Sequence, residues 1–283
     1  MIKKFIKTKI PDKIYLKYKY KRIFKKELNL NNPVTFNEKL QWLKLNDRKD
    51  IYTTMVDKYE AKKYVANIIG YEYIIPTIGI YNSFDEIDFS ELPNKFVMKC
   101  THDSGGLVIC KDKNNFDINK ARKKINKSLK NNYYYSGREW PYKNVKPRII
   151  IEKYMEDRKT RELRDYKLFC FDGKVKFFKI DFDRQKYHRA NYYDTNGILL
   201  RFGEEICPPD FEKTLDMPIN LNKMISFSQK LSFEIPFIRV DFYEVNGKIY
   251  FGELTFYPAS GFGKFTPEEW DKKLGDMIKL PKK

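Results

Sequence analysis

Apolar residues recur at helical spacing early in the chain, and strand-like runs replace this pattern further on. The stretch TFNEKLQWLKLND opens with Thr35 and Glu38 at capping-box spacing, and its apolar residues supply one buried face. A second helix is expected over residues 51–69, because Gly70 suits the position just after a helix C-terminus. The pattern therefore predicts a helical N-terminal segment.

Short apolar runs bounded by turn residues follow from residue 73 onward. Three of them predict strands: FVMKC at 96–100, LVICK at 107–111 and RIIIEKYM at 148–155. The pairs Asp172-Gly173 and Asn246-Gly247 are strong hairpin signals inside two longer runs. Helical segments are expected at 117–129, 221–231 and 267–278. Since helices and hairpins alternate without a regular βαβ rhythm, the fold class is predicted to be α+β with antiparallel sheets.

Composition adds a folded core and a strong positive charge to this picture. The 283 residues include 16% aromatic residues, and the formal net charge is +18. Such a balance suits a polyanionic partner, either an anionic polymer or nucleotide, an acidic membrane surface, or nucleic acid. A lysine-rich solvated surface explains the charge equally well.

The cysteine and histidine spacing shows no zinc-type ligand cluster. The four cysteines form no CxxC pair, and the sequence adds only His102 and His188. We find no signal peptide and no apolar run long enough to cross a bilayer. A cytoplasmic protein with reduced thiols is therefore expected.

The N-terminus is basic, with eleven Lys or Arg residues between Lys3 and Lys26 and one acid, Asp12. Tyrosine, leucine and isoleucine residues are interspersed among these charges. The segment predicts either an amphipathic helix at an anionic membrane surface or a helix packed on the domain with its lysines outward.

Residues suited to a nucleotide site occur along the middle of the chain. Phosphates need backbone N–H groups from a glycine-rich turn and a basic side chain, which Lys99 and the turn at residues 104–106 (Ser-Gly-Gly) offer. Glu152 closes an apolar strand that suits an adenine-binding edge. Each signal is weak alone, because the chain has no Walker-type or GxGxxG motif.

Asp241 and Glu253 are the more informative residues, because both lie among aromatic and aliphatic neighbours. Ionised carboxylates are rarely buried unpaired, so either Arg239 pairs with one of them or they hold a cation. A plain two-residue Asn246-Gly247 turn puts the two carboxylates on opposite faces, whereas a bulged three-residue loop puts them on one face. A metal site therefore predicts the bulged loop.

Seven segments, taken in order, resemble one known family. They are TFNEKLQWLK, VDKYEAKKYV, LPNKFVMKCTHDSGG, RIIIEKYM, DYKLFCFDGK, RVDFYEVNGKIYFGELTFYPASGF and PEEWDKKLG. This sequence resembles the TupA-like family of the ATP-grasp superfamily, which is linked to teichuronopeptide and surface-polysaccharide synthesis. The resemblance runs from about Pro33 to Leu280.

The resemblance implies an ATP-grasp fold, in which two α+β lobes with antiparallel sheets clasp the nucleotide. A helical segment at residues 1–70 is expected to pack on the ATP-grasp domain at 71–283. Within that domain, a smaller nucleotide-lid lobe is expected at about 71–155 and a larger metal-binding lobe at about 156–283.

The resemblance also assigns ATP-binding residues by position. The phosphate-contacting residues are Lys58, Lys99, Ser104, Gly105 and Gly106. Around the base and sugar, Glu152 matches the residue near the adenine amino group, the backbone of Lys153, Tyr154 and Met155 lies beside it, and Asp165 stands where an acid meets the ribose.

Magnesium and the reacting phosphoryl group are assigned in the same way. Asp241 and Glu253 match the Mg²⁺ ligands, and Thr255 stands where the family usually has asparagine, a weaker substitute for an amide carbonyl. Arg239 and Lys99 are the expected catalytic residues, because they neutralise charge on the transferring group.

Candidate acceptor residues are the loop residues Arg138, Trp140, Arg184, His188 and Arg189. Arginine suits carboxylate recognition and tryptophan suits stacking on a sugar face, although each residue equally fits an ordinary surface loop.

The resemblance implies an ADP-forming, ATP- and Mg²⁺-dependent carboxylate–amine ligase that works through an acyl phosphate. An amino acid or other amine would be coupled to a uronic-acid carboxylate of a capsule, O-antigen or teichuronic-type polymer, at the inner membrane face or free in the cytoplasm. Nucleic acid is not an expected partner. The alternatives are an ATP-grasp sugar kinase, a glycosyltransferase of the same pathway using the D-x-D pattern of Asp181 and Asp183, and a non-enzymatic basic binding module.

Overall fold

A computed structural model describes residues 8–158, 163–184 and 187–282. Residues 1–7 of the expected N-terminal segment lie outside these ranges. The described chain is α+β, and its paired strands are antiparallel, as predicted. No helix in these ranges is both long and apolar enough to cross a membrane.

The helices of the described ranges are α1 (Asp12–Phe24), α2 (Phe36–Asn46), α3 (Ile51–Val56), α4 (Glu60–Ile69), α5 (Ile118–Leu129), α6 (Tyr134–Gly137), α7 (Leu221–Leu231) and α8 (Glu269–Met277). Their strands are β1 (Thr77–Tyr81), β2 (Phe96–Cys100), β3 (Leu107–Cys110), β4 (Ile149–Lys153), β5 (Asp165–Phe171), β6 (Lys174–Phe182), β7 (Arg189–Asp194), β8 (Leu199–Leu200), β9 (Gly203–Glu204), β10 (Phe237–Val245), β11 (Lys248–Thr255) and β12 (Phe265–Thr266).

Local sequence signals account for several element boundaries. At the start of α2, Thr35 and Glu38 form the predicted capping box, in which the Glu38 N–H donates to the Thr35 hydroxyl and the Thr35 N–H to the Glu38 carboxylate. Asp172 and Gly173 form the two-residue turn between β5 and β6, both with positive φ.

The single helix predicted at 51–69 is wrong. The chain leaves the helical conformation after Val56, where Asp57 is extended and its carboxylate accepts the N–H of Tyr59. This side chain competes with the helix for backbone hydrogen bonds, as short acidic residues do. Lys58 therefore lies in a turn, where its N–H donates to the carbonyl of Thr101 at 3.1 Å.

The chain divides into two compact units. The first unit comprises Met1–Arg48 with Arg164–Lys283, and the second comprises Lys49–Leu163. The expected 1–70 segment is thus divided, with α1 and α2 in the first unit and α3 and α4 in the second.

A six-stranded sheet in the order β11-β10-β5-β6-β7-β8 forms the first unit. One sheet face is apolar and packs against α7. Residues 165, 167, 169 and 171 of β5 lie on the other face, because side chains two apart along a strand share a face. Along β5 these residues change from charged to aromatic. Asp165 and Lys167 are charged, whereas Phe169 and Phe171 join an aromatic cluster with Phe237. The charged residues lie at the end of the sheet where β5 begins.

A four-stranded sheet in the order β1-β4-β2-β3 forms the second unit. One face packs against α5, where Met98 and Ile151 meet Ile125 in a buried cluster. The opposite face carries Lys99 and Glu152 as diagonal neighbours, since Lys99 is paired with Ile150 and Glu152 with Val97.

Candidate functional site

In the second unit, two lysines contact one buried carboxylate. Lys99 Nζ lies 2.7 Å from Glu152 Oε2, and Lys62 of α4 contacts Oε1. Burial by itself would raise the pKa of Glu152, but Lys99 and Lys62 together lower it. Lys62 also donates to the Ile75 carbonyl at 2.7 Å and to the Thr77 hydroxyl at 3.0 Å. Lys62 was not predicted from the sequence, because nothing in the residue spacing of α4 marks it.

Lys58 and the loop at residues 103–106 form one turn structure. Lys58 Nζ donates to the carbonyl of Asp103, and the Gly106 N–H donates to an Asp103 carboxylate oxygen at 3.2 Å. Gly105 has a φ of +151°, which other residues rarely adopt. A Cβ on Gly106 would lie 2.8 Å from the side chain of Cys100. Gly105 is thus favoured by its backbone conformation, and Gly106 by the side chains that crowd it.

The predicted adenine-side residues follow Glu152 out of the sheet. Lys153 ends β4 and donates its N–H to the Pro76 carbonyl at 3.0 Å. Tyr154 and Met155 are partly exposed and lie in irregular chain beyond the strand, where the Lys95 ammonium lies over the Tyr154 ring. Their backbone is the segment that the family resemblance puts beside adenine.

The β10–β11 hairpin has a two-residue turn and a bulge, and the predicted three-residue loop is wrong. Val245 pairs with Lys248 across the turn, and the register shifts between Asp241 and Phe242. Gly252 is the extra residue, and beyond it Asp241 pairs directly with Glu253. The bulge therefore puts both carboxylates on one face, the result that the metal hypothesis requires.

Gly252 is needed at this bulge because the partner strand approaches closely. A Cβ at Gly252 would lie 3.0 Å from the Asp241 carbonyl oxygen and 3.2 Å from the Tyr243 ring. These distances are shorter than ordinary van der Waals contact, so a side chain there would push the strands apart.

Arg239 joins the predicted magnesium ligands in the first unit. Its guanidinium donates to both carboxylate oxygens of Asp241 at 2.7 Å, and Nη2 also reaches Glu253 Oε1 at 3.0 Å and the Thr255 hydroxyl at 3.1 Å. The Asp241 side chain is 2% exposed, whereas that of Glu253 is 49% exposed. The expectation that both are interior therefore holds for Asp241 and is wrong for Glu253.

The electrostatics at Asp241 reflect burial. Burial raises the pKa of Asp241 to about 6, assisted by Glu253 and opposed by Arg239 and Lys167. The sequence allowed two interpretations of these carboxylates, an ion pair with Arg239 or a bound cation. The ion pair is present. It leaves oxygen donors of three side chains (Asp241, Glu253 and Thr255) in one group, the hard ligand type that Mg²⁺ prefers. The residues present fit a magnesium ion.

A buried ion network adjoins this group on the same sheet face. Lys167 contacts Asp181 at 2.7 Å, Asp165 at 3.3 Å and Asp241 at 3.8 Å. Arg184 contacts Asp181 at 2.7 Å and also Asp165. Burial would raise the pKa of Asp181, but the surrounding cations hold it well below its usual range. Lys167 was missed from sequence, although two charged residues at strand spacing in an apolar run were a usable signal.

The five candidate acceptor residues are in different environments. Arg138 is 1% exposed and lies against the rings of Tyr134 and Tyr135 in the second unit, where Trp140 begins a short 3₁₀ helix. In the first unit, Arg184 joins the ion network and His188 Nε2 lies 3.7 Å from Asp181 Oδ1. Arg189 is also in the first unit, where its guanidinium donates to the Pro209 carbonyl at 3.4 Å.

Asp181 and Asp183, the D-x-D pattern, do not act together. Asp181 is buried among cations, while Asp183 follows β6 with a positive φ and an exposed side chain. The geometry gives the glycosyltransferase alternative no support.

Comparisons with known proteins identify the class. The TupA-like ATP-grasp family matches residues 38–279, most of the chain. The chain therefore belongs to the TupA-like ATP-grasp family, as the sequence segments indicated. No curated protein matches it.

Solved structures similar to this chain include two D-alanine–D-alanine ligases and a biotin carboxylase. The ligase from Bacillus anthracis complexed with ATP has 17% identity, covers 80% of this chain and 63% of its own, and has a TM-score of 0.43. The ligase from Helicobacter pylori has 15% identity, coverages of 87% and 69%, and a TM-score of 0.43. The biotin carboxylase–β,γ-ATP complex from Campylobacter jejuni has 14% identity, coverages of 81% and 47%, and a TM-score of 0.42. This chain thus spans about 63% of the Bacillus anthracis ligase.

Proposed function

We propose that this protein is an ATP- and Mg²⁺-dependent carboxylate–amine ligase that forms ADP through an acyl phosphate. The observation that carries the proposal is the group of Arg239, Asp241, Glu253 and Thr255, which a β-bulge brings onto one face of the sheet. Membership of the ATP-grasp family supports the use of ATP.

Magnesium would be held by Asp241, Glu253 and Thr255, and when bound it supplies positive charge to phosphate oxygens. Arg239 supplies a fixed guanidinium beside these oxygens and neutralises negative charge on the transferring group. In the second unit, we assign Lys58 and Lys99 to phosphate contacts, and the Ser104–Gly106 loop would offer backbone N–H groups once that of Gly106 leaves the Asp103 carboxylate. We assign Glu152, the Lys153–Met155 backbone and Asp165 to the adenosine part.

Nucleotide binding is tested by calorimetry, with a non-hydrolysable ATP analogue and Mg²⁺, on the wild type and on Glu253→Gln. We expect magnesium-dependent binding that the variant loses. A protein that binds a UDP-sugar and no ATP analogue would be a glycosyltransferase, and the proposal would fail.

For the substrates, we propose a uronic-acid carboxylate of a bacterial surface polysaccharide and an amino acid or other amine. The net charge of +18 suits an acidic glycan, and the family resemblance points to this pathway. Arg138, Trp140, Arg184, His188 and Arg189 remain our candidates for acceptor contacts. Screening uronic acids with amines for ADP release tests the pair, and mass spectrometry separates an amide product from the phosphorylated sugar of a kinase.

We also propose that the protein works in the cytoplasm, against the inner face of the membrane. Helix α1 presents Ile14 and Tyr18 to solvent beside Lys13, Lys17 and Lys21. Such a face suits anionic lipid, which attracts lysines and accommodates tyrosine at the headgroup level. We expect co-sedimentation with vesicles of phosphatidylglycerol but not with pure phosphatidylcholine, and a loss on Ile14→Asp. Absence of binding to the anionic vesicles would remove this part of the proposal.

A further inference from the structure

Asp181, His188 and Cys207 come together in the first unit, although nothing in their sequence spacing suggests it. Asp181 lies near the end of β6, His188 just before β7, and Cys207 in the loop after β9. One ligand atom of each residue lies within 4.8 Å of the others, and this is the one such mixed group in the described ranges. The spacing of cysteines and histidines along the chain predicted no zinc-type cluster. It did not reveal these three residues, because the fold of the sheet brings them together.

The two oxygens of the Asp181 carboxylate are in different environments. Lys167 and Arg184 both contact Oδ2 at 2.7 Å, which orients the group. Oδ1 is buried and receives no hydrogen bond, and His188 Nε2 and Lys179 Nζ each lie 3.7 Å from it. A buried acceptor without a donor costs about 1–3 kcal/mol, so this oxygen suits a ligand that arrives from outside.

The other two residues provide a fixed ligand and an entry route. Cys207 is buried, and its N–H donates to the Glu204 carbonyl at 3.1 Å, so its backbone is tied to β9. The His188 side chain is 43% exposed, and therefore solvent reaches the group past the imidazole. Outer contacts that fix ligands in this way are typical of protein metal sites.

We propose that Asp181, His188 and Cys207 bind a divalent transition metal of the zinc class, with a fourth position open to solvent. Sulfur, imidazole nitrogen and one carboxylate oxygen form a ligand set that Zn²⁺ accepts and Mg²⁺ does not favour. In a tetrahedral site the ligand atoms are roughly 3.3–3.6 Å apart, which small side-chain rotations achieve from the present separations. This site uses none of the oxygen ligands of the proposed function, although His188 is also one of its acceptor candidates.

The cations around Asp181 are themselves paired with carboxylates. Lys179 is paired with Glu204 at 3.1 Å, and Arg184 contacts Asp165 as well as Asp181. Binding converts the Cys207 thiol to a thiolate and releases one proton to solvent, so the thiolate offsets one of the two charges of the ion, while Asp181 already pairs with Lys167.

Cobalt(II) titration of the untagged full chain tests the site, because a cobalt–thiolate bond gives a near-ultraviolet charge-transfer absorption. An excess of Mg²⁺ occupies sites built from oxygen ligands alone. We expect saturable absorption at one equivalent, competed away by Zn²⁺. Cys207→Ser should abolish this absorption, and His188→Asn should weaken cobalt binding at least about 10-fold.

Cys110→Ser is the matched control, since Cys110 is also buried, lies in the second unit and is outside the group. It should titrate like the wild type. The site is refuted if the wild type shows no thiolate absorption, or if Cys207→Ser keeps it while circular dichroism shows a folded protein. If Cys207→Ser fails to fold, the cobalt affinity of His188→Asn is the test, because His188 is exposed and its substitution should leave the fold intact. An unchanged cobalt affinity in His188→Asn also overturns the proposal.

Discussion

Two ion groups, one in each unit, have opposite compositions. In the second unit one carboxylate, Glu152, lies between the ammonium groups of Lys62 and Lys99. In the first unit one guanidinium, that of Arg239, lies between the carboxylates of Asp241 and Glu253. The group in the second unit, around Glu152, therefore sums to one positive charge. The group in the first unit, around Arg239, sums to one negative charge.

This difference indicates which ligand each group suits. A set with net positive charge stabilises an added anion such as phosphate, whereas a set with net negative charge stabilises an added cation. Each group also keeps one accessible member, since the Lys99 side chain is 23% exposed and that of Glu253 is 49% exposed. We therefore expect Lys99 and Glu253 to be the members most accessible to ligands, while Lys62 holds Glu152 in position.

Glu253→Gln should give the largest effect. The substitution removes the negative charge of an accessible carboxylate, so we expect turnover to fall roughly 100- to 1,000-fold, the usual cost of losing one stabilising group at a developing charge. Because Glu253 is half exposed, the fold should survive, which circular dichroism checks. ADP release measures turnover.

The same assay separates a charge effect at the site from a general loss of acid. Glu269→Gln on α8 is the control, because its carboxylate is exposed and pairs with Lys273 on the same helix. It should retain wild-type turnover. Equal rates in Glu253→Gln and the wild type would remove the magnesium assignment.

The two lysines of the second unit should differ when each is changed to alanine. Lys99→Ala is expected to weaken binding of the ATP analogue about 10- to 100-fold, because a hydrogen bond to a charged group contributes roughly 1.5–3 kcal/mol. Lys62→Ala is expected to lower the free energy of unfolding instead, since Lys62 holds Glu152, Ile75 and Thr77. Calorimetry and urea unfolding measure the two effects.

Each lysine variant is the control for the other. If Lys62→Ala loses as much affinity as Lys99→Ala while remaining folded, both lysines contact the nucleotide. The proposed division between a ligand-contacting lysine and a positioning lysine is then wrong.

Gly252→Ala tests whether the bulge at Gly252 is needed to bring Asp241 and Glu253 together on one face of the sheet. The new methyl would meet the Asp241 carbonyl and the Tyr243 ring, so we expect a loss of about 1–3 kcal/mol in the free energy of unfolding. Magnesium-dependent nucleotide binding should also weaken. Urea unfolding and calorimetry are the measurements, and unchanged values in both would contradict this role for Gly252.

Gly247→Asn in the same hairpin is the matched control. Gly247 also has a special backbone conformation, with φ of +74°, but no atom lies within 4 Å of an added Cβ. Asparagine tolerates positive φ, and therefore this variant should lose little stability.

The sequence predicted the elements better than the registers. The strand runs, the Asp172-Gly173 turn and the capping box at Thr35 were readable because each depends on neighbouring residues. The bulge at Gly252 was not readable, because it depends on how closely the partner strand approaches. A glycine inside a strand was the available signal.

Long-range contacts explain what else the sequence did not reveal at the sites. The helix break at Asp57 places Lys58 beside Thr101, a contact between residues far apart in the sequence. Lys62 and Glu152 meet through α4 and β4, and Lys167 gains its partners from three strands. Such ion groups arise from sheet order and register, which spacing along the chain does not encode.

The pH dependence of stability should be the smallest and most specific of these effects. The pKa of Glu152 is lowered in the folded protein, so its ionised form stabilises the fold above its ordinary pKa near 4.5, and this contribution is lost as pH falls through the lower folded value. Glu152→Gln should cost about 3 kcal/mol at pH 7, because it breaks a buried ion pair. The difference from the wild type should begin to narrow as the pH approaches 4, since the glutamine side chain of the variant has no proton to gain. Urea unfolding of both proteins between pH 7 and 4 measures the gap. A gap that widens on acidification would mean that the lysines do not hold Glu152 ionised, and the charge comparison between the two units would then fail.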